Sequence, residues 1–372
     1  FNLMISALFI VGLGFSLQQI VANPLAILVG PSATGSQRLT MAGGVNNFGT
    51  TIGPLIVTFA IFGSAASANN EASIEAVKIP YLILGAAFLL VALFLKFSSL
   101  PDTVIKEEEE TADTAGTGSR SSAFSYPQLI LGMIAIFVYV GVEVSTASNL
   151  PAYMEDNLGF LTKDTAPYIS LYWASMMIGR WTGAVEAFDF RAGTIKILRF
   201  FAPYLAFGVF LLVNFIAKND LTPFYVYVFV ILAMIVCDIL SKGNPARMVL
   251  IFSMAGITAL LIGMSTSGMT SVYAFTSVGL FCSTLWPCIF ALAIKGLGRH
   301  TNQGSGFLIM MIMGGGIIAP LQGVIADKTN IHFSFIVGVI CFAYLAFYAI
   351  AVKGILKKQG IDLKDLKAEG GH

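Results

Sequence analysis

Five side chains able to do chemistry stand inside long apolar runs: Gln19, Asn23, Asn46, Glu143 and Trp286. A charged side chain in hydrocarbon costs roughly 2.5–3.5 kcal/mol on insertion scales, so groups of this kind near mid-helix are candidates for a pathway or a ligand site. Gln19 and Asn23 are spaced i, i+4, which puts both on one helix face. Asn46 shares a face with Gly49 and Gly53, and Glu143 is flanked at helical spacing by Tyr139 and Thr146. Gln19, Asn46, Glu143 and Trp286 each fall a few residues from the middle of their run, about 6 Å at 1.5 Å per residue. They share a depth, as convergence on one ligand requires. Amides donate to and accept from hydroxyls, a carboxylate accepts several hydrogen bonds, and an indole offers an apolar face with a polar edge. Together these are the parts of a sugar site.

Each has a plainer explanation as well. Asn23 beside Pro24 satisfies carbonyls that the proline leaves free, and Trp286 is an ordinary packing aromatic. Asn47, rotated about 100° from Asn46, is expected to bond a neighbouring helix. Glu143 is the sharpest candidate, because no Lys or Arg lies within a turn or two of it on its own helix. It is expected to couple an ion, loading a proton or holding Na⁺; the residues leave both open. Arg180, in Gly179-Arg180-Trp181-Thr182-Gly183 with Glu186 and Asp189 beyond it, suggests a gating latch at the cytoplasmic end of its helix. Snorkelling toward the interface is the competing account.

The elements that must position these residues are membrane helices. Hydrophobic residues make up 56% of the chain and charged ones 11%, against roughly 25% charged in a soluble domain. Apolar runs of spanning length occupy 3–29, 38–63, 79–98, 127–152, 165–187, 197–217, 223–241, 247–265, 270–294, 304–326 and 332–353. This is an all-α membrane protein of about eleven spans. With alternating helix directions and a cytoplasmic linker, most of the Lys and Arg fall inside, only Lys78, Lys163, Lys218 and Lys328 fall outside and Arg180 lies within a span, the asymmetry that the positive-inside rule demands.

The chain also repeats itself. Gly49-Thr-Thr-Ile-Gly53-Pro54 is echoed by Gly315-Gly-Ile-Ile-Ala319-Pro320, a Gln stands 17 positions before each proline, and Asn23-Pro24 is echoed by Trp286-Pro287. A block of helices duplicated in one direction implies two pseudo-symmetric bundles that rock around a central site. Residues 1–98 are then the last three helices of the first bundle, and three more are expected to precede Phe1. Residues 99–125, with Lys106-Glu-Glu-Glu-Glu110, read as a disordered cytoplasmic linker. The second bundle is 126–355, enlarged by an inserted hairpin at 197–242, and 356–372 is a cytoplasmic tail. Asp238 in the hairpin is expected to pair with Lys242 near the interface. The glycines Gly49, Gly53 and Gly314 to Gly316 are expected to let helices approach closely and slide.

The four cysteines have no metal or redox spacing and read as packing residues. The three histidines assemble no catalytic constellation. No enzyme activity, cofactor, metal or nucleic-acid partner is expected; the lipid bilayer, a small sugar and an ion are.

The motifs "QQIVANPLAILVGP", "RLTMAGGVNNFGTTIGP", "FVYVGVEVSTASNLPAYM", "IGRWTGA" and "STLWPCIFALAIKGLGRHTNQGSGFLIMMIMGGGIIAP" resemble the major facilitator superfamily, and within it the fucose/proton symporter family, particularly its bacterial glucose/galactose branch. The resemblance covers nearly the whole chain apart from the linker and the hairpin. It implies twelve core helices, cytoplasmic termini, an inner-membrane location, a monomer, and alternating-access import of a hexose (glucose or galactose first, fucose second) with a proton or sodium ion. Asn46 matches a sugar-contacting asparagine of the fucose members, and Trp286 a cavity-lining aromatic. At Gln19 those members carry a carboxylate used in proton coupling, and at Glu143 a neutral amide. The acid has moved between halves, which makes Glu143 the replacement candidate. An exporter is the alternative within the superfamily, against which Ile56 and Val57 stand where exporters carry Gly-Gly. A membrane sugar sensor is the alternative from another class.

Overall fold

The computed structural model describes residues 2–28, 35–62, 74–98, 122–185 and 192–361. Among them all regular structure is helical: α1 Asn2–Leu28, α2 Gly35–Phe62, α3 Ile74–Phe97, α4 Pro127–Leu158, α5 Thr162–Ala184, α6 Ala192–Ile216, α7 Tyr227–Ser241, α8 Pro245–Ser265, α9 Met269–Cys282, α10 Leu285–Ile294, α11 Thr301–Met310, α12 Gly314–Lys328, α13 Ile331–Ser334 and α14 Ile336–Lys358. Every expected span coincides with a helix or a pair of helices. Eight spans among the described residues are long and apolar enough to cross a membrane. The other spans include α2 and α5, which pack on each other. Polar and small residues concentrate on the helices that meet across the molecule, and that dilutes their hydropathy.

Three expected spans are interrupted, one of them, 332–353, only by a turn at Phe335 between α13 and α14. The segment 270–294 breaks at Ser283 and Thr284, between α9 and α10. Pro287 accounts for this, because it has no N–H to give to the carbonyl four residues earlier, which is Ser283. The segment 304–326 is divided by a 3-10 turn, Met311–Met313. The final helix runs to Lys358, past the expected end at 353. There Gln359 and Gln128 exchange amide hydrogen bonds, 2.9 and 3.1 Å, and Gln128 also donates to the Lys295 carbonyl at 3.1 Å. The end of the last helix is thereby tied to the start of α4.

α4 is the axis of the second bundle, packed by α10, α12 and α14, while α8 packs on α14 and α9. The core between them is aromatic. Tyr139, Tyr153, Tyr172, Tyr348, Phe252, Phe275, Phe335 and Phe342 are fully buried, and the Phe275 and Phe335 rings stack with centroids 3.9 Å apart. Glycine permits the tightest approach to a neighbouring backbone: a Cβ built at Gly314 would stand 2.0 Å from the Phe137 carbonyl oxygen of α4. We expect Gly314→Ala to cost about 2 kcal/mol or more, since a backbone atom cannot give way. Gly316→Ala, with nothing within 4 Å of the new methyl, gains the same helix propensity without the clash. Thermal unfolding of the two variants in one detergent checks the contrast.

Among the described residues nothing lies within 4 Å of a Cβ at Gly49 or Gly53, so the close approach expected of them is not found there. The close approach on α2 is one turn or more earlier, where Gly43 faces Arg180 and Gly44 faces Trp181.

The hairpin α6–α7 is clipped together by an ion pair between Arg199 and Asp238. The expected partner Lys242 is not used: it caps α7 in a left-handed conformation, φ 52°, which turns the chain toward α8. The carboxylate is instead reached by the long Arg199 side chain from the adjacent helix. The hairpin is fastened to the bundle by the Tyr227 and Ser175 hydroxyls, 2.7 Å apart, by the Tyr273 hydroxyl donating to the Pro223 carbonyl, and by Phe224 between Tyr168 and Phe210.

Candidate functional site

The site grows from one face of α4. Tyr139, Glu143 and Thr146 follow one another at i, i+4 and i+7, so helix geometry stacks them on a single stripe. Glu143 is half-buried on this stripe. The Tyr139 and Thr146 hydroxyls of this stripe, and that of Ser145 on the opposite face of the helix, are buried without a hydrogen-bond partner. Buried polar groups are almost always satisfied, so three orphans in two turns mark a place organised for something other than packing. The Tyr139 hydroxyl and the Glu143 carboxylate act on each other electrostatically without closing a well-formed hydrogen bond.

Three further elements converge there. From α5, the Tyr172 hydroxyl donates to the Glu143 backbone carbonyl at 2.9 Å, which fixes the rotation of α5 against α4. From α10, the half-buried Trp286 indole faces the Tyr139 ring, centroids 6.3 Å apart and planes tilted 48°, and stacks on Phe290 at 6.1 Å. Trp286 stands here because the chain reopens into helix just after the Ser283–Thr284 break. Thr284, beside it, adds another buried hydroxyl without a partner.

Arg180 of α5 is the cation of the cluster, and its charge acts on Glu143. Its Nη1 donates to Asn47 Oδ1 and to the Gly43 carbonyl at 3.4 Å, both on α2, and its Nε donates to the Ser283 carbonyl at 3.3 Å. A second bond across the same seam runs from the Ser170 hydroxyl to the Thr51 carbonyl, 2.6 Å. The rotation of Asn47 toward a neighbouring helix is as expected, and it is 2% exposed.

The structure therefore gathers Glu143, Trp286 and Arg180 around Tyr139. Asn46 lies on α2 next to Asn47 but is exposed, off the face formed by Gly43, Asn47, Thr51 and Leu55. Gln19 and Asn23 belong to α1, and their side chains lie outside the described residues, as do Glu186 and Asp189. The proposed latch partners of Arg180 are thus not among the described residues, whereas three neutral acceptors are. Sequence reasoning passed over Tyr172 and the Ser283 carbonyl as site groups. Pro287 was the signal for the second. Among the described residues no cluster of His, Cys, Asp and Glu could hold a metal ion.

No family model matches the chain. The glucose/galactose transporter of Brucella abortus is 31% identical over 352 residues, covering 94% of this chain and 71% of the relative. The putative glucose/galactose transporter of Helicobacter pylori is 28% identical over 361 residues, with 94% and 74% covered, and the L-fucose-proton symporter of Escherichia coli 26% over 366 residues, with 94% and 72%. The fold is similar to that of a crystal structure of the E. coli fucose:proton symporter, with a TM-score of 0.60 at 24% identity over 94% of this chain and 78% of the other. It is similar in the same way, TM-score 0.59, to a structure of a major facilitator superfamily transporter in the outward conformation. With its helical spans, its duplicated bundles and a relative above 30% identity along nearly its whole length, the chain belongs to the fucose–proton symporter family of the major facilitator superfamily, the family that includes the bacterial glucose/galactose transporters.

Proposed function

We propose that the protein imports a hexose, glucose or galactose, together with a cation by alternating access, and that Glu143 is the ion-coupling group. The observation that carries this reading is the stripe on α4: a half-buried carboxylate with the buried, partnerless Tyr139 and Thr146 hydroxyls about one turn to either side, at the junction of α4, α5 and α10. A carboxylate with hydroxyls about it can take up either a proton or Na⁺, and its charge then differs between loaded and empty states. The names of the relatives support the substrate class, which is glucose/galactose for the Brucella protein and L-fucose for the E. coli symporter.

The sugar site in this reading is formed by Trp286, Glu143 and Asn46, with Gln19 and Asn23 from α1, and Arg180 gates it. Trp286 supplies the flat apolar wall. We place the protein in a bacterial inner membrane as a monomer, with the segment 99–125 and both termini cytoplasmic.

The deciding experiment is uptake of labelled glucose, galactose and fucose into proteoliposomes with Na⁺ and pH gradients imposed separately. Accumulation of a hexose under one gradient supports the proposal; no accumulation of any of the three under either gradient overturns it. Trp286→Ala is expected to weaken sugar affinity about fivefold to tenfold, since a lost ring contact is worth about 1 kcal/mol beyond its area. The readout is the sugar concentration giving half-maximal protection or uptake. Equal affinity returns Trp286 to packing alone.

A further inference from the structure

Helices α2 and α5 run antiparallel and meet along a seam that starts near the first turn of α2 and passes its middle. A Cβ on Gly183 would lie 3.6 Å from Thr40 Cγ2 and a Cβ on Gly44 2.9 Å from Trp181 Cδ1, and the Ser170 hydroxyl donates to the Thr51 carbonyl at 2.6 Å. From Thr40 to Thr51 the seam is about 16 Å long at 1.5 Å per residue. With spans alternating in direction, the start of α2 and the end of α5 lie at one membrane face, the face where α3 ends and α4 begins. There the two bundles are shut against each other.

The hydrogen bonds of Arg180, within this seam, sort by bundle. Its Nη1 donates across the seam to Asn47 Oδ1 and to the Gly43 carbonyl at 3.4 Å, both in the first bundle. Its Nε donates to the Ser283 carbonyl at 3.3 Å, inside its own bundle, where Pro287 cannot claim that carbonyl. When one bundle rocks against the other, the bonds across the seam break and the bond to Ser283 persists. The guanidinium, a fork of donors in one plane, is then still aimed at α2 by its Nε bond. Gly43 gives it room: a Cβ there would stand 3.1 Å from Nη1.

We propose that Arg180 and Asn47 form the latch that holds the two bundles together at this face and sets how often the seam opens. The inference deepens the transport reading and rests on it. Asn47 is buried, so its bond to the cation is shielded from bulk water, and a hydrogen bond to a charged group is worth about tenfold or more in an equilibrium. Strengthening the bond and removing it must therefore move the seam in opposite directions, which a residue that merely packs would not do.

The reporter is Thr51→Cys in the full-length protein, at a seam position that is fully buried here. Its alkylation by a water-soluble maleimide, without sugar, reads the fraction of open seam; the protein without the reporter gives the background of the native cysteines. Asn47→Ala is expected to speed labelling about tenfold. Asn47→Asp, which turns the bond into a charge-assisted one, roughly twice as strong, is expected to slow it several-fold. Arg180→Gln speeds it as Asn47→Ala does, and the two together do no more than either alone, since both remove one bond. In proteoliposomes, a disulfide between Thr40→Cys and Gly183→Cys is expected to stop both net uptake and counterflow exchange, and reduction to restore them.

Unchanged labelling in Asn47→Ala, a shift of the same sign in Asn47→Ala and Asn47→Asp, or additive effects of Asn47→Ala and Arg180→Gln overturn the latch. So does a cross-linked protein that transports at the rate of the reduced one. If Asn47→Asp does not fold, the Asn47→Ala and Arg180→Gln cycle decides. A wild-type protein that takes up no hexose under either gradient sinks the transport reading itself, whereas the labelling rates need no transport and judge the latch separately.

Discussion

Glu143→Gln abolishes accumulation of sugar against its gradient and spares exchange. The amide keeps the size and most of the hydrogen bonding of the carboxylate but cannot change charge, so the loaded and empty carriers become alike. Moving one elementary charge through 100 mV is worth about 2.3 kcal/mol, which at 1.4 kcal/mol per tenfold supports about a 50-fold sugar gradient. The variant is expected to bring that ratio down to about one, with sugar still equilibrating across the membrane. Steady-state accumulation and counterflow in the same vesicles give both numbers. Concentrative uptake equal to wild type would take Glu143 out of the mechanism, and the orphaned Tyr139, Ser145 and Thr146 hydroxyls would then need another explanation.

Arg199→Ala is the largest stability effect expected outside the site. It leaves Asp238, 8% exposed, as a carboxylate inside the bundle without the guanidinium that compensates it. Removing one partner of a buried pair costs about 3–5 kcal/mol, whereas replacing both by apolar groups is often neutral. The double variant Arg199→Leu/Asp238→Leu should therefore recover most of the loss. Thermal unfolding in detergent measures both, and equal destabilisation by the single and double changes would show that the pair is not what holds α6 to α7. The hairpin lies against α5, whose Ser175 meets Tyr227, and a loosened hairpin is expected to slow transport as well as lower stability.

Helix existence was legible because bilayer thickness imposes a length and a composition on each span, and both can be counted along the chain. The same counting placed Glu143, Tyr139 and Thr146 on one stripe, since their spacing is a property of a single helix. It also indicated that Asn47 points away from Asn46. What it misplaced were contacts between helices: Asp238 was assigned the nearby Lys242, while the fold supplies Arg199 from the neighbouring helix. The glycine contacts on α2 went the same way, to Gly43 and Gly44 in place of Gly49 and Gly53.

By itself the chain order determined the spans, the duplication, the stripe on α4 and the carbonyl that Pro287 must leave unpaired, because each of these depends on residues within a few turns of one another. The tertiary structure alone decided which donor takes that carbonyl, that Arg180 also grips Asn47 and Gly43, and that Trp286 rests on Tyr139. Those outcomes depend on how helices far apart in the chain are rotated and how closely they meet, and glycine-to-backbone contacts such as Gly314 on Phe137 set that rotation only once the bundle has assembled.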